Sequence, residues 1–235
     1  MEEQLKKKNP WTNLTEGEMK IATCDVPFFE AMDGAEEYTK KNEKAQLTFS
    51  CLPDPFGGNP DSKVYCLNMN PGKPDASFEG VEAYAEATIK NLRLESETCF
   101  WAEGILNAEG MEHDGADWTR KYVKNPLLDI LGCPPDIFFV EYFPYHSKSG
   151  FAFPEDLPSY AFSNDLIRQA MKDGKLIIIM RSEDKWLERI DELADYHNLC
   201  VLKNHQSVWV SPGNIVRYKS KEKLSEEEIK EYFKI

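Results

Sequence analysis

No Cys-x-x-Cys pair occurs in this sequence. Its six cysteines, Cys24, Cys51, Cys66, Cys99, Cys133 and Cys200, are scattered. Several lie in apolar runs, where a free thiol behaves as a small hydrophobe. That distribution argues against a disulfide framework or a zinc knuckle and for a reducing compartment. No apolar run approaches the ~20 residues that a membrane span requires. The opening MEEQLKKKNPWTN lacks the apolar stretch of a secretory signal. The expectation is a cytoplasmic protein with no membrane partner. Internal repeats and low-complexity tracts are also missing.

Positive charge is scarce, with a net charge of −13. Non-specific nucleic-acid binding rests on neutralising phosphates, so the balance weighs against it. A specific site is still open, because the local field of a cleft matters more than the total. Two basic stretches stand out: Lys6–Lys8, and the alternating Arg217, Lys219, Lys221 and Lys223. Each reads most simply as solvated surface.

What is present suits a globular α/β protein. The 235 residues are 41% hydrophobic, enough for a core without staples. Residues 1–235 read as a single domain, with 1–60 as an irregular extension packed on it. Helices are expected at 27–41, 78–94, 117–131, from Ser159 to Gly174, at 183–196 and from Ser225. Strands are expected at 63–69, 137–143, 176–180, 199–202 and 208–210. The segment 52–62, LPDPFGGNPDS, is loop chemistry. Alternating strands and helices predict a three-layer α/β/α fold with a short, mostly parallel central sheet. In such folds ligands bind beyond the carboxyl ends of the strands.

Three loops in that position carry unusual residues. The first is Asn68-Met69-Asn70-Pro71-Gly72. Asn70 supplies an amide donor and a carbonyl acceptor on a short side chain, and Gly72 permits close backbone approach. Asn-Pro-Gly is also a plain turn signal. The second is Ser211-Pro212-Gly213-Asn214, where Ser211 is placed to donate to a phosphate or to cap a turn. The third is Glu141-Tyr142-Phe143-Pro144-Tyr145-His146-Ser147-Lys148. A glutamate in the apolar run FFVEYFP is costly to bury unless paired or protonated. It is either a core ion-pair member or a site residue. His146 is one of only four histidines. His113, Asp114 and Asp117 lack the partner histidines of a metal site and read as a solvated helix start.

Together these stretches resemble the uracil-DNA glycosylase superfamily, nearest its mismatch-specific and single-strand-selective branches. There the first strand ends in Gly-x-Asn-Pro-Gly. Asn70, Pro71 and Gly72 match, and Asn68 stands at the leading glycine. The family's last strand leads into His-Pro-Ser-Pro. Ser211 and Pro212 match, and Trp209 stands at the histidine. Glu141 or Tyr142 stands near the family's base-reading asparagine. The resemblance runs from about 63 to 216, in the family's order of elements.

The resemblance implies a protein that recognises a flipped or single-stranded base and hydrolyses an N-glycosidic bond in DNA. Asn70 would hold the attacking water. The substrate set would be Asn68, Met69, Gly72, Phe78, Glu141, Tyr142, His146, Trp209, Ser211 and Asn214, with Phe78 or Tyr142 stacking on the base. Lys73, Lys148 and Arg217 would flank a groove for the nucleic-acid backbone. Trp209 offers one N–H and no positive charge, which implies weak activity on uracil or none. The cysteine spacing of cluster-bearing relatives is missing, so no metal or cofactor is expected. The expected partner is DNA or a nucleotide-like ligand. A nucleoside- or nucleotide-acting enzyme and a non-catalytic interaction protein on the same scaffold are the alternatives.

Overall fold

The computed structural model describes residues 3–14, 20–99, 103–149, 153–204 and 208–233. Six strands form one sheet in the order β1-β3-β2-β4-β5-β6. They are β1 (Phe56–Gly57), β2 (Val64–Asn68), β3 (Phe138–Glu141), β4 (Leu176–Ile179), β5 (Leu199–Leu202) and β6 (Ile215–Arg217). The four central strands, β3-β2-β4-β5, are parallel, and β1 and β6 close the edges antiparallel. Every residue of the central four is buried. That is why their sequences are continuous apolar runs rather than alternating ones.

Each face has its own apolar layer. On one, Val123, Leu127, Leu131, Ile229 and Phe233 pack over Val64, Cys66, Phe139 and Ile178. On the other, Phe162, Leu166, Ile167 and Ala170 of the helix Tyr160–Lys172 cover Tyr65, Leu67, Phe138 and Ile177. The expected α/β class and parallel sheet are therefore observed. No helix among the described residues is long and apolar enough to cross a membrane. None of the six cysteines, all among the described residues, is in a disulfide.

Several boundaries differ from the sequence reading. The segment 27–41 is two helices, Val26–Ala31 and Ala35–Lys41, separated where Asp33 and Gly34 take φ of 68° and 93°. The helix at 183–196 stops at Arg189, because Ile190 leaves helical dihedrals (φ −133°, ψ 85°), and a 3₁₀ turn follows. Residues 208–210 are not a strand. The last strand is β6, which pairs with β5. Inside the expected loop 52–62, Phe56 and Gly57 form the edge strand β1. Gly58 beside it has φ 113°, and any Cβ there would collide with the Ile137 carbonyl oxygen. The helix expected from Asp117 begins at Asp114, where His113 Nδ1 accepts from Ala116 N at 3.2 Å. Ser159 does not cap its helix through the side chain; its backbone N–H donates to Asp25 instead.

The amino-terminal residues join the core through that same aspartate. Trp11, Phe29 and Phe49 surround Tyr145, with ring centroids 5.9, 5.9 and 5.0 Å away. The Tyr145 hydroxyl donates to Asp25 Oδ2 at 2.6 Å and accepts from Ala22 N at 3.2 Å. Ser159 N donates to Asp25 Oδ1 at 2.8 Å. Burial raises the Asp25 pKa, opposed by the hydrogen bonds from Tyr145 and Ser159. Tyr145→Phe leaves Ala22 N without its acceptor and Asp25 Oδ2 without its donor in a fully buried place, while Asp25 Oδ1 keeps Ser159 N. It is expected to cost about 1–3 kcal/mol. In a denaturant titration the midpoint should fall with the slope unchanged; an unaltered midpoint would mean that this node does not anchor the amino-terminal segment.

Candidate functional site

Chain connections leave β2 towards β3 on one side, while β4 leads to β5 on the other. The carboxyl ends of β2 and β4 therefore flank a topological switch point, where open α/β sheets leave a crevice. A cleft of about 400 Å³ lies there. It is bordered by the loop after β2, the loop after β3, Arg181 after β4, and the start of the helix Asp114–Thr119.

Its floor is a consequence of strand register. Asn68 and Glu141 are paired across β2 and β3 at their last residues. Asn68 Nδ2 donates to Glu141 Oε1 at 3.3 Å. Glu141 Oε2 is buried without a partner. Desolvation dominates this carboxyl. It raises the pKa to about 8, against the Asn68 hydrogen bond and the charges of Arg181 and His146. At neutral pH Glu141 is mostly protonated. With Oε1 accepting from Asn68, Oε2–H is the donor left for a ligand, and Asn68 Oδ1 is an acceptor beside it.

The loop after β3 fixes Asn70. Its Nδ2 donates to Pro71 O at 2.8 Å, Ser147 O at 3.0 Å and Ser147 Oγ at 2.9 Å. Two of these acceptors are carbonyls, so the amide cannot be turned over. Oδ1 is thereby the acceptor left on Asn70, which lines the cleft. His146 props the same loop. Its Nδ1 lies 2.8 Å from Gly72 O, and its Nε2 lies 3.1 Å from Leu52 O and 3.3 Å from Asp54 Oδ2. Carbonyl oxygens only accept, so both ring nitrogens carry protons. Burial lowers the His146 pKa, but the bonds and charges of Asp54 and Cys51 prevail and hold it well above the ordinary value. His146 is a charged strut in the cleft wall, with its donors already spent.

Of the expected site residues, Asn68, Met69, Asn70, Gly72, Lys73, Glu141, His146 and Lys148 meet in the cleft. Phe78 is buried behind the wall, against Tyr84 and His113. Tyr142 belongs to the opposite sheet face, where the Arg189 guanidinium stacks 3.1 Å from its ring centroid. Trp209, Ser211 and Asn214 sit at the same carboxyl edge but in the connection from β5, two strands from β2, to β6, and do not line the cleft. Asn214 is used locally, donating to Trp209 O and accepting from Asn204 N, both at 2.8 Å. Arg217 pairs with Glu228 at 2.5 Å, away from the cleft.

Asp54, Tyr84 and Trp118, which lie outside the three loops, also line the walls, as does Ser147 within the third loop. Asp54 was hidden in a loop rich in proline and glycine, and Trp118 reads simply as a helix residue. Lys73, Lys148 and Arg181 are exposed residues lining the cleft, together with the acids Asp114, also exposed, and Asp75, partly so. Among the described residues no three His, Cys, Asp or Glu side chains converge on a metal position. Searches for relatives return no matching family model, curated protein or solved structure.

The raised Glu141 pKa makes stability depend on pH. A folded pKa above the unfolded one stabilises fully below about 4.5, and that contribution is lost as pH rises through about 8. Between those limits the loss accrues at up to about 1.4 kcal/mol per pH unit. Glu141→Gln keeps the acceptor for Asn68 and cannot ionise. Its melting temperature should match the parent's near pH 5 and exceed it at pH 9. Parallel melting curves for the two proteins would show Glu141 to be ionised in the fold at neutral pH.

Proposed function

We propose that the cleft receives a nucleobase, flipped or single-stranded, and that the protein hydrolyses its N-glycosidic bond. The observation that carries this reading is the clamped amide of Asn70, a cleft residue whose donor is spent on Pro71 and Ser147 so that its carbonyl oxygen is the group left for a ligand, beside the Asn68–Glu141 pair. A cleft of about 400 Å³ is of a size for one nucleotide unit.

Each group has a distinct task in this reading. Asn70 Oδ1 accepts a hydrogen bond from water and aims it at the sugar carbon. Asparagine is too weak a base to take the proton early, so bond cleavage runs ahead of attack, and once the water oxygen has bonded to the sugar carbon its proton passes to the departed anionic base through solvent. The glycosidic bond breaks with its electron pair leaving on the base. Protonated Glu141 donates from Oε2 to the base as that negative charge grows, as a neutral carboxylic acid in an apolar site does. It takes the place that a histidine after the last strand holds in the glycosylases this sequence resembles. Asn68 Oδ1 and Glu141 Oε2–H together match a base edge with one donor and one acceptor. Filling Oε2 also relieves an unpaired buried polar atom, worth about 1–3 kcal/mol. Lys73, Lys148 and Arg181 face the phosphates.

The test is to incubate the protein with single-stranded oligonucleotides bearing uracil, hypoxanthine and other altered bases, and to score abasic sites. Excision should decline as pH rises through about 8, where Glu141 ionises. Glu141→Gln should flatten that decline, and Asn70→Ala should reduce excision at least about a hundredfold while leaving binding intact. Binding without excision of any base by the parent would reduce the protein to a base-recognition module. No binding at all would remove the reading.

A further inference from the structure

We infer that an aromatic ridge leading out of the cleft stacks the nucleotides next to the bound one, so that the preferred ligand is a single strand rather than a free nucleotide. This rests on the cleft's proposed role and extends it to a separate surface.

Three rings form the ridge. Trp118 lines the cleft. Its ring centroid lies 5.7 Å from that of Tyr122, which lies 5.6 Å from that of Trp209. Trp118 and Tyr122 are half-buried, and Trp209 is 40% exposed. Trp118 and Tyr122 rest on the core with part of each ring uncovered, and they connect the cleft to Trp209, an exposed large aromatic. Cations accompany the line. Lys121 Nζ lies 4.9 Å over the Tyr122 ring. Exposed Arg181 follows β4, between the cleft and the Trp209 loop in strand order. Exposed Lys203 follows β5. The nearby acid Asp117 is engaged by Arg120 at 2.7 Å.

Aromatic rings with cations in the same region suit a polyanion that presents flat faces. Every base has such a face, so stacking tolerates sequence, while the cations take the backbone. Continuity with the cleft selects single-stranded nucleic acid: one base enters the pocket and its neighbours meet Tyr122 and Trp209. The backbone of the Trp209 loop is tied down, with Val210 N donating to Tyr122 O at 2.8 Å. The ridge is thus joined to the helix that carries the cleft wall.

Two probes separate the ridge from the cleft: deoxyuridine 5′-monophosphate, and a single-stranded pentadeoxynucleotide with one central uracil among thymines. Affinities of the full chain are measured for the parent, Trp209→Ala and Trp209→Phe. The pentanucleotide should bind the parent at least about tenfold more tightly than the mononucleotide. Trp209→Ala should abolish that gain and Trp209→Phe should keep most of it, with mononucleotide affinity equal in all three. Equal affinity of the parent for both probes, or a gain that survives in Trp209→Ala, overturns the ridge and leaves the cleft reading standing. A Trp209-dependent pentanucleotide complex with no mononucleotide binding supports the ridge and overturns the cleft. Binding of neither probe overturns both.

Discussion

The parallel register of β2 and β3 is the constraint on which the site depends. It sets the last residue of one strand, Asn68, against the last residue of the other, Glu141. Both therefore point to the same sheet face, just where the apolar layer ends. A shift of one residue would turn one of them into the opposite core. Burial then does the chemical work. The interior is apolar enough to protonate a glutamate, and the neighbouring amide determines which of its oxygens still faces a ligand.

The amino-terminal segment supports that arrangement from outside. Thr48 N donates to His146 O at 3.0 Å, Lys148 N to Ala45 O at 2.8 Å, and Asp54 N to Pro144 O at 3.1 Å. Leu52 and Asp54 meet the His146 ring. These contacts stiffen the loop that clamps Asn70. The Asn70 amide is held by its neighbour Pro71 and by Ser147, far away in sequence, and the role proposed for it requires such a fixed orientation. The stretch before β2 is thus part of the site's framework as well as of the core.

Charge is distributed with the same economy. The chain is strongly acidic, yet Lys73, Lys148 and Arg181 line the cleft. Within the cleft, Glu141 is largely neutral and His146 is balanced by Asp54. The local field is therefore not the field of the whole molecule. A single-stranded ligand would meet few cations, so a shallow dependence on salt fits this surface better than the steep one of a duplex binder.

Much of this was legible in the sequence. Runs such as LIII and FFVE announce strands buried on both faces, and the spacing of Phe162, Leu166, Ile167 and Ala170 announces the helix that covers them. Asn70 stood out because Asn-Pro-Gly follows an apolar strand, and Glu141 because a charge interrupts an apolar run. Local periodicity and composition suffice for such inferences, since each depends on residues a few positions apart. What the sequence left open depends on distant segments. Ser211 and Trp209 follow β5, which has β4 between it and β2, and β6 folds back outside it, so that loop does not adjoin Asn70. The contest between desolvation and the charges of Arg181 and His146 at Glu141, and the orientation of the Asn70 amide set by Ser147, were likewise decided only by the tertiary structure. Strand order and burial arise from pairing between segments tens of residues apart, and no local pattern encodes them.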